Sequence, residues 1–152
     1  MTLDPMLQHT AAVTLALVFG SAAYGKFTAW DEFEGVVQNF RVLPRMLVPW
    51  VARVVPPLEA IVAAAVLVPA SRDLAGGLMA ALLAVFAIGI AVNLARGRFD
   101  IDCGCFRSSL RQNLSGWLVL RNAVLIVLAL ACVATPGGRV LGVADLFFAL
   151  MG

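Results

Sequence analysis

Of 152 residues, 62% are hydrophobic and 13% are charged, and the mean hydropathy is +0.95. A soluble domain carries roughly 45–50% apolar and about 25% charged residues, so no water-facing surface absorbs this excess and the solvent is lipid. The net charge of +2 gives no sign of a nucleic-acid partner, and three cysteines are too few for a disulfide-stapled secreted scaffold.

A short polar lead gives way to an apolar run predicted to span the membrane over about residues 7–27. Ser21-Ala22-Ala23 loosely resembles a signal-peptide cleavage site. Before it, however, Asp4 and His9 are the only titratable side chains and no Lys or Arg is present, so a retained first span is expected. Tyr24-Gly25-Lys26 marks its far interface.

The next stretch differs in kind. Trp30, Phe33, Val36, Val37 and Phe40 form one apolar stripe at helical spacing, with Asp31, Glu32, Glu34, Gln38 and Arg41 elsewhere on the wheel. At about 12 residues (30–41) this helix is too short to cross. It is expected in the interface plane, as a lid over a pocket in the bundle mouth.

A second span is expected over 46–68, interrupted by Pro56-Pro57, each of which removes a backbone donor and frees a carbonyl one turn earlier. Glu59 sits near mid-span, where a carboxylate costs roughly a few kcal/mol and faces the bundle interior. It is either a neutral group bonded to a neighbouring helix or a participant in proton or substrate chemistry.

The third span (74–95) carries small residues four apart, Gly77/Ala81 and Ala80/Ala84, suited to close helix approach. A fourth is expected over 116–134 with Arg121 and Asn122 near its start. Arg121 is the expected partner of Glu59. The apolar segment 140–150 is too short to cross upright and reads as a C-terminal interfacial or re-entrant helix. The expectation is therefore one all-α membrane domain over 1–152, a four-helix bundle with an interfacial helix and a short C-terminal helix.

Between spans three and four lies Phe99-Asp100-Ile101-Asp102-Cys103-Gly104-Cys105-Phe106. Cys103 and Cys105 can close a small ring through a disulfide if the chain bends, and Gly104 accepts the φ values this requires. Strained disulfides are the labile, oxidising ones. Asp102 and Asp100 raise thiol pKa while Arg107 and Arg111 lower it. Two other readings stay open: inert structural thiols, or ligands for a soft metal such as Cu(I). No Cys/His cluster has zinc spacing, since the sole histidine, His9, is remote, and a Cu(I) site needs a third ligand that no adjacent Met or His supplies, so no metal ligand is assigned. Cys132, near the opposite leaflet, reads as buried and inert.

Four spans place the interfacial helix and the cysteine loop on the same face. Lys26, Arg41, Arg45, Arg96, Arg98, Arg107 and Arg111 crowd that face, against Arg72 and Arg139 on the other. The positive-inside rule assigns the loop to the cytoplasm. A disulfide role assigns it to the outside. The two arguments conflict.

Tyr24-Gly25-Lys26-Phe27, Val42-Leu43-Pro44, Pro57-Leu58-Glu59, Arg96-Gly97, Asp102-Cys103-Gly104-Cys105-Phe106 and Leu120-Arg121-Asn122 together resemble the methylamine-utilisation MauE family of DoxX-like membrane proteins. Arg107 stands where members commonly have Gly. The resemblance covers spans one to four. It implies a DoxX-like bundle of a bacterial inner membrane that works in disulfide formation or electron delivery, in the maturation of a disulfide-rich dehydrogenase subunit. It implies Cys103 and Cys105 as the reacting pair, supported by Asp102, Gly104, Glu59, Arg121 and Asn122. A thioredoxin-like protein is the implied partner. A quinone is the expected electron carrier by analogy with membrane thiol oxidases, and no covalently bound cofactor is expected. A non-catalytic subunit of a larger membrane complex is the alternative.

Overall fold

The structure is a computed structural model that describes residues 4–101 and 113–133. Asp102, Cys103, Gly104, Cys105 and the C-terminal segment 140–150 lie outside the described residues. Among those described, all regular elements are helices: α1 (Pro5–Thr28), α2 (Trp30–Phe40), α3 (Val48–Ala65), α4 (Arg72–Ala95) and α5 (Gly116–Val133). Of these, α1, α3, α4 and α5 are long and apolar enough to cross a membrane. The protein is an integral membrane protein.

Local chemistry sets the ends of these helices. Asp4 caps α1 by accepting a hydrogen bond from the Met6 amide at 2.9 Å, and Pro5 follows at the first helical position. At the α3–α4 turn, Ser71 Oγ donates to the Ala65 carbonyl at 2.8 Å and Arg72 Nε to the Val66 carbonyl at 3.1 Å. The Ala65 carbonyl also accepts from the Val68 amide at 3.2 Å, but the Val66 carbonyl ends α3 with no backbone donor among the described residues and in lipid would be costly without Arg72. Pro56-Pro57 does not divide the helix in two. Instead, α3 runs as one helix from Val48 to Ala65, with Pro56 buried in the bundle.

Each crossing helix is apolar nearly all round, so lipid takes one side and the bundle the other. Leu17, Ile61, Val85 and Val127 face outward. Around the bundle the order is α1, α3, α4, α5, with the tightest pairings α4 on α5 and α1 on α3. One core cluster joins all four helices at the end remote from the cysteine segment: Ala12, Leu15 and Phe19 of α1, Val62 and Val66 of α3, Met79 and Leu83 of α4, Ala129 and Cys132 of α5.

Within α4 the close approach comes from Gly76, not Gly77 as expected. A Cβ on Gly76 would stand 2.8 Å from the Ala129 carbonyl oxygen and 3.1 Å from the Cys132 Cβ, whereas one on Gly77 would meet nothing within 4 Å. The two are adjacent, hence about 100° apart on the wheel. Small-residue spacing does not reveal which of them faces the partner helix.

Candidate functional site

The charged centre of the bundle is an ion pair between α1 and α3. Lys26 Nζ donates to both Glu59 carboxylate oxygens at 2.9 Å, and the two side chains are 5% and 3% exposed. The ammonium also lies 5.2 Å from the Phe33 ring centroid and 5.6 Å from that of Phe86, near enough for cation–π attraction. Either charge alone would be expensive in this setting, and pairing offsets much of that cost.

This corrects the expected Glu59–Arg121 pair: the cation on Glu59 is Lys26. The sequence reading treated Lys26 as an interface marker at the end of span one. Because α1 continues to Thr28, Lys26 is still within the helix, on the face that meets α3. Its long stem carries the charge inward rather than out to headgroups.

Beside the pair, α2 roofs an apolar cavity of about 140 Å³. Phe33, Val36, Val37 and Phe40 of α2 form the roof, Val51 of α3 and Val85, Phe86 and Gly89 of α4 the floor, with Val42 and Leu43 at the edge. The apolar stripe of α2 therefore rests on the bundle mouth. Trp30, the first residue of the stripe, packs on Phe27, with centroids 6.1 Å apart.

Polar ties hold α2 in place at its C-terminal end. Asn93 Nδ2 donates to the Phe40 carbonyl at 3.0 Å and to the Gly89 carbonyl at 2.9 Å, while its Oδ1 accepts from Arg98 Nη1 at 2.9 Å. Arg96 Nη1 donates to the Arg41 carbonyl at 3.3 Å. Arg41 itself is left-handed at φ 49°, which ends the helix. Asn93 is fully buried. It joins α2, α4 and the start of the cysteine-bearing segment through one side chain, a role the sequence reading did not assign to it.

Both ends of that segment are anchored at the same mouth. The Leu114 amide donates to the Ile101 carbonyl at 3.1 Å. Ile90, Leu114 and Leu118 form a second core cluster, against which Phe40 and Ile101 pack. The expectation that α2 and the cysteine segment share a face is met at these anchors. Whether the helix covers the thiols falls outside the described residues.

Asn122 is buried on α5, and its Nδ2 has no hydrogen-bond partner among the described residues. Its depth follows from register. Ile90 packs with Leu118 near one end of the antiparallel α4–α5 pair, and Gly76 meets Cys132 near the other. Asn122, one turn in from Leu118, thus lies level with Phe86, one turn in from Ile90. An unpartnered buried amide at the level of the Lys26–Glu59 cage is unusual.

The far end of the bundle holds other polar groups. Gln8 Nε2 donates to the Cys132 carbonyl at 3.4 Å, and Arg72 Nη2 lies 3.3 Å from His9 Nδ1. Cys132 is a free, fully buried thiol. No group of three or more His, Cys, Asp or Glu side chains placed to hold a metal ion occurs among the described residues.

Comparison with known proteins gives one consistent result. The family model described as "Methylamine utilisation protein MauE" matches residues 4–135. Methylamine utilization protein MauE of Paracoccus versutus is 46% identical over 144 residues, covering 94% of this chain and 77% of that protein. The Paracoccus denitrificans protein of the same name is 49% identical over 129 residues, covering 85% and 69%. That of Methylophilus methylotrophus is 42% identical over 134 residues, covering 88% and 70%. No solved structure matches the chain.

Proposed function

This chain belongs to the MauE family of methylamine utilisation proteins, and on that premise we propose that it is a thiol–disulfide exchange protein of the bacterial inner membrane. Cys103 and Cys105 are its reacting pair. One thiolate attacks a sulfur of a partner's disulfide and a mixed disulfide forms. The second thiol then displaces the partner, which leaves with two thiols while Cys103 and Cys105 are joined. The same steps run backwards when the partner is to be oxidised. Asp102 and Gly104 shape the pair, while Glu59, Arg121 and Asn122 support it from below.

The observation that carries this reading is the anchoring of the cysteine segment. Ile101 and Leu114, which flank it, are hydrogen-bonded at 3.1 Å, and both pack into the cluster that receives Phe40. We read the dithiol between these anchors as offered to a protein partner at the bundle mouth. Phe40, which packs at the anchors, also lines the apolar groove under α2, the side open to a lipid-soluble molecule. A thioredoxin-like protein suits the first approach. A lipid-soluble quinone suits the second.

The decisive experiment is trapping. Purified protein carrying Cys105→Ser, and separately Cys103→Ser, is mixed with an oxidised thioredoxin-like protein, and adducts are identified by mass spectrometry. The expected result is a mixed disulfide in one variant and a Cys103–Cys105 disulfide in the unmodified chain. If no disulfide forms under any oxidant, the chain acts instead as a non-catalytic subunit of a larger membrane complex.

A further inference from the structure

We propose that one anionic phospholipid is seated at the edge of α2, its phosphate on Arg41, Arg45 and Arg96 and one acyl chain in the groove beneath the helix. The groove calls for hydrocarbon. Its lining, which includes Phe33, Phe40, Val51 and Val85, presents no polar side-chain atom, so nothing there rewards a group that carries oxygens or charge. The space is about 140 Å³. An apolar cavity of about 150 Å³ takes a benzene ring, so a short stretch of methylenes fits here and the rest of a chain continues outside. Val42 and Val85 at the rim are exposed, and Val85 lies on the outward side of a membrane-crossing helix. A chain enters sideways from the bilayer.

Charge selects the lipid. Arg96 Nη1 donates to the Arg41 carbonyl at 3.3 Å, and the next residue, Val42, lines the groove. That one bond holds the guanidinium at the groove's edge, and its remaining N–H groups have no partner among the described residues. Arg41, Arg45 and Arg96 are all exposed, and none of them has a carboxylate partner among the described residues. A guanidinium meets a phosphate through two parallel N–H bonds. The acidic side chains of α2, Asp31, Glu32 and Glu34, belong to its first half. Charge is thus sorted along the helix, and an anion is drawn to its C-terminal end.

Depth agrees with this placement. Trp50 and Trp117 are exposed in the first turns of α3 and α5, and exposed tryptophans of a spanning bundle mark the headgroup level. Arg96, the C-cap of α4, ends its helix at that same level. Gly89 lies roughly 10 Å deeper along α4, and Val85 about one turn further. A phosphate at Arg96 therefore leaves room for the glycerol above the groove and puts the upper acyl chain inside it, which is the order of groups along a phospholipid. The site needs no thiol, so it stands or falls apart from the exchange reading.

The test uses the full chain in phosphatidylcholine nanodiscs doped with phosphatidylglycerol that carries a diazirine midway along one acyl chain. After irradiation the labelled residues are mapped by mass spectrometry, beside a phosphatidylcholine probe with the same chain. The expected result is labelling of Val42, Val51 and Val85 about fivefold stronger from phosphatidylglycerol, the preference that a single arginine at an anionic surface supplies. Excess inorganic phosphate leaves it unchanged. Arg41→Gln/Arg45→Gln/Arg96→Gln removes exposed side chains only, and brings the phosphatidylglycerol signal down to the phosphatidylcholine level. Val127, exposed to lipid on α5, is labelled equally by both probes in every variant, which controls for lipid incorporation. Val85→Trp plugs the rim and abolishes labelling of Val51 from either probe. Equal groove labelling by the two probes, or a preference that survives the arginine substitutions, overturns the proposal and leaves an ordinary lipid contact. Loss of the preference in excess phosphate also overturns it, because the arginines then hold a free anion and not a lipid.

Discussion

Lys26 Nζ stands 2.9 Å from each carboxylate oxygen of Glu59, tying the last turn of α1 to the body of α3 where neither lipid nor water reaches. Removing one partner strands the other charge in a low-dielectric interior, which typically costs about 3–5 kcal/mol. Lys26→Met and Glu59→Leu are each expected to destabilise the bundle by that order, measured by reversible unfolding in mixed micelles. The double variant recovers most of the loss, since two apolar side chains leave nothing unpaired. Single losses below about 1 kcal/mol, the worth of an exposed pair, would show that the charges are solvated in the membrane.

Gly76 and Gly77 make a matched pair for testing the α4–α5 contact. A methyl group at Gly76 would press on the Ala129 carbonyl oxygen, which is backbone and cannot step aside. Gly76→Ala is expected to cost about 1–3 kcal/mol by overpacking. Gly77→Ala meets open space and is expected to be neutral or to stabilise by up to about 1 kcal/mol through helix propensity. The same unfolding assay reads both, and reversed signs would mean that α4 is rotated by one residue.

Asn122 buries an amide donor without a partner among the described residues, at a cost of about 1–3 kcal/mol. Such a group persists when it serves something other than stability. Asn122→Leu, nearly the same size, is expected to raise the unfolding midpoint while slowing thiol exchange with an oxidised partner protein. A variant that is less stable and equally active would mean that Asn122 is an ordinary satisfied core residue.

The all-helical class, the crossing helices and the amphipathic α2 were legible because each rests on a pattern within one stretch of chain. Run length against bilayer thickness marks α1, α3, α4 and α5, and the 3.6-residue period marks the Phe33, Val37 and Phe40 face. What escaped were relations between stretches. Lys26 had the look of an interface charge because nothing in its neighbourhood says that the helix face it occupies meets α3. The choice of Gly76 over Gly77 turns on one residue of rotation, to which a run of apolar and small residues is blind. Asn93 stood beside a basic interface and was passed over, since its partners, Phe40 and Arg98, belong to other elements. Cys132 was readable: a lone apolar-flanked thiol is a small hydrophobe, and it is fully buried.

Asn93 offers the sharpest test of whether α2 shields the thiols. Its amide nitrogen holds α2 at the Phe40 carbonyl, and its oxygen holds Arg98 at the head of the cysteine segment. Asn93→Leu cuts both ties. Asn93→Asp cuts the first and keeps the second, because a carboxylate still accepts from Arg98. If α2 is the cover, both variants are expected to speed alkylation of Cys103 and Cys105 several-fold in membranes, as read by differential labelling and mass spectrometry, while buried Cys132 stays unmodified. If the Arg98 tie alone restrains the segment, only Asn93→Leu accelerates labelling. Rates unchanged in both variants would leave α2 as the roof of its own cavity and nothing more, because the side chain that hydrogen-bonds both the helix and Arg98 would then have no influence on how the thiols react.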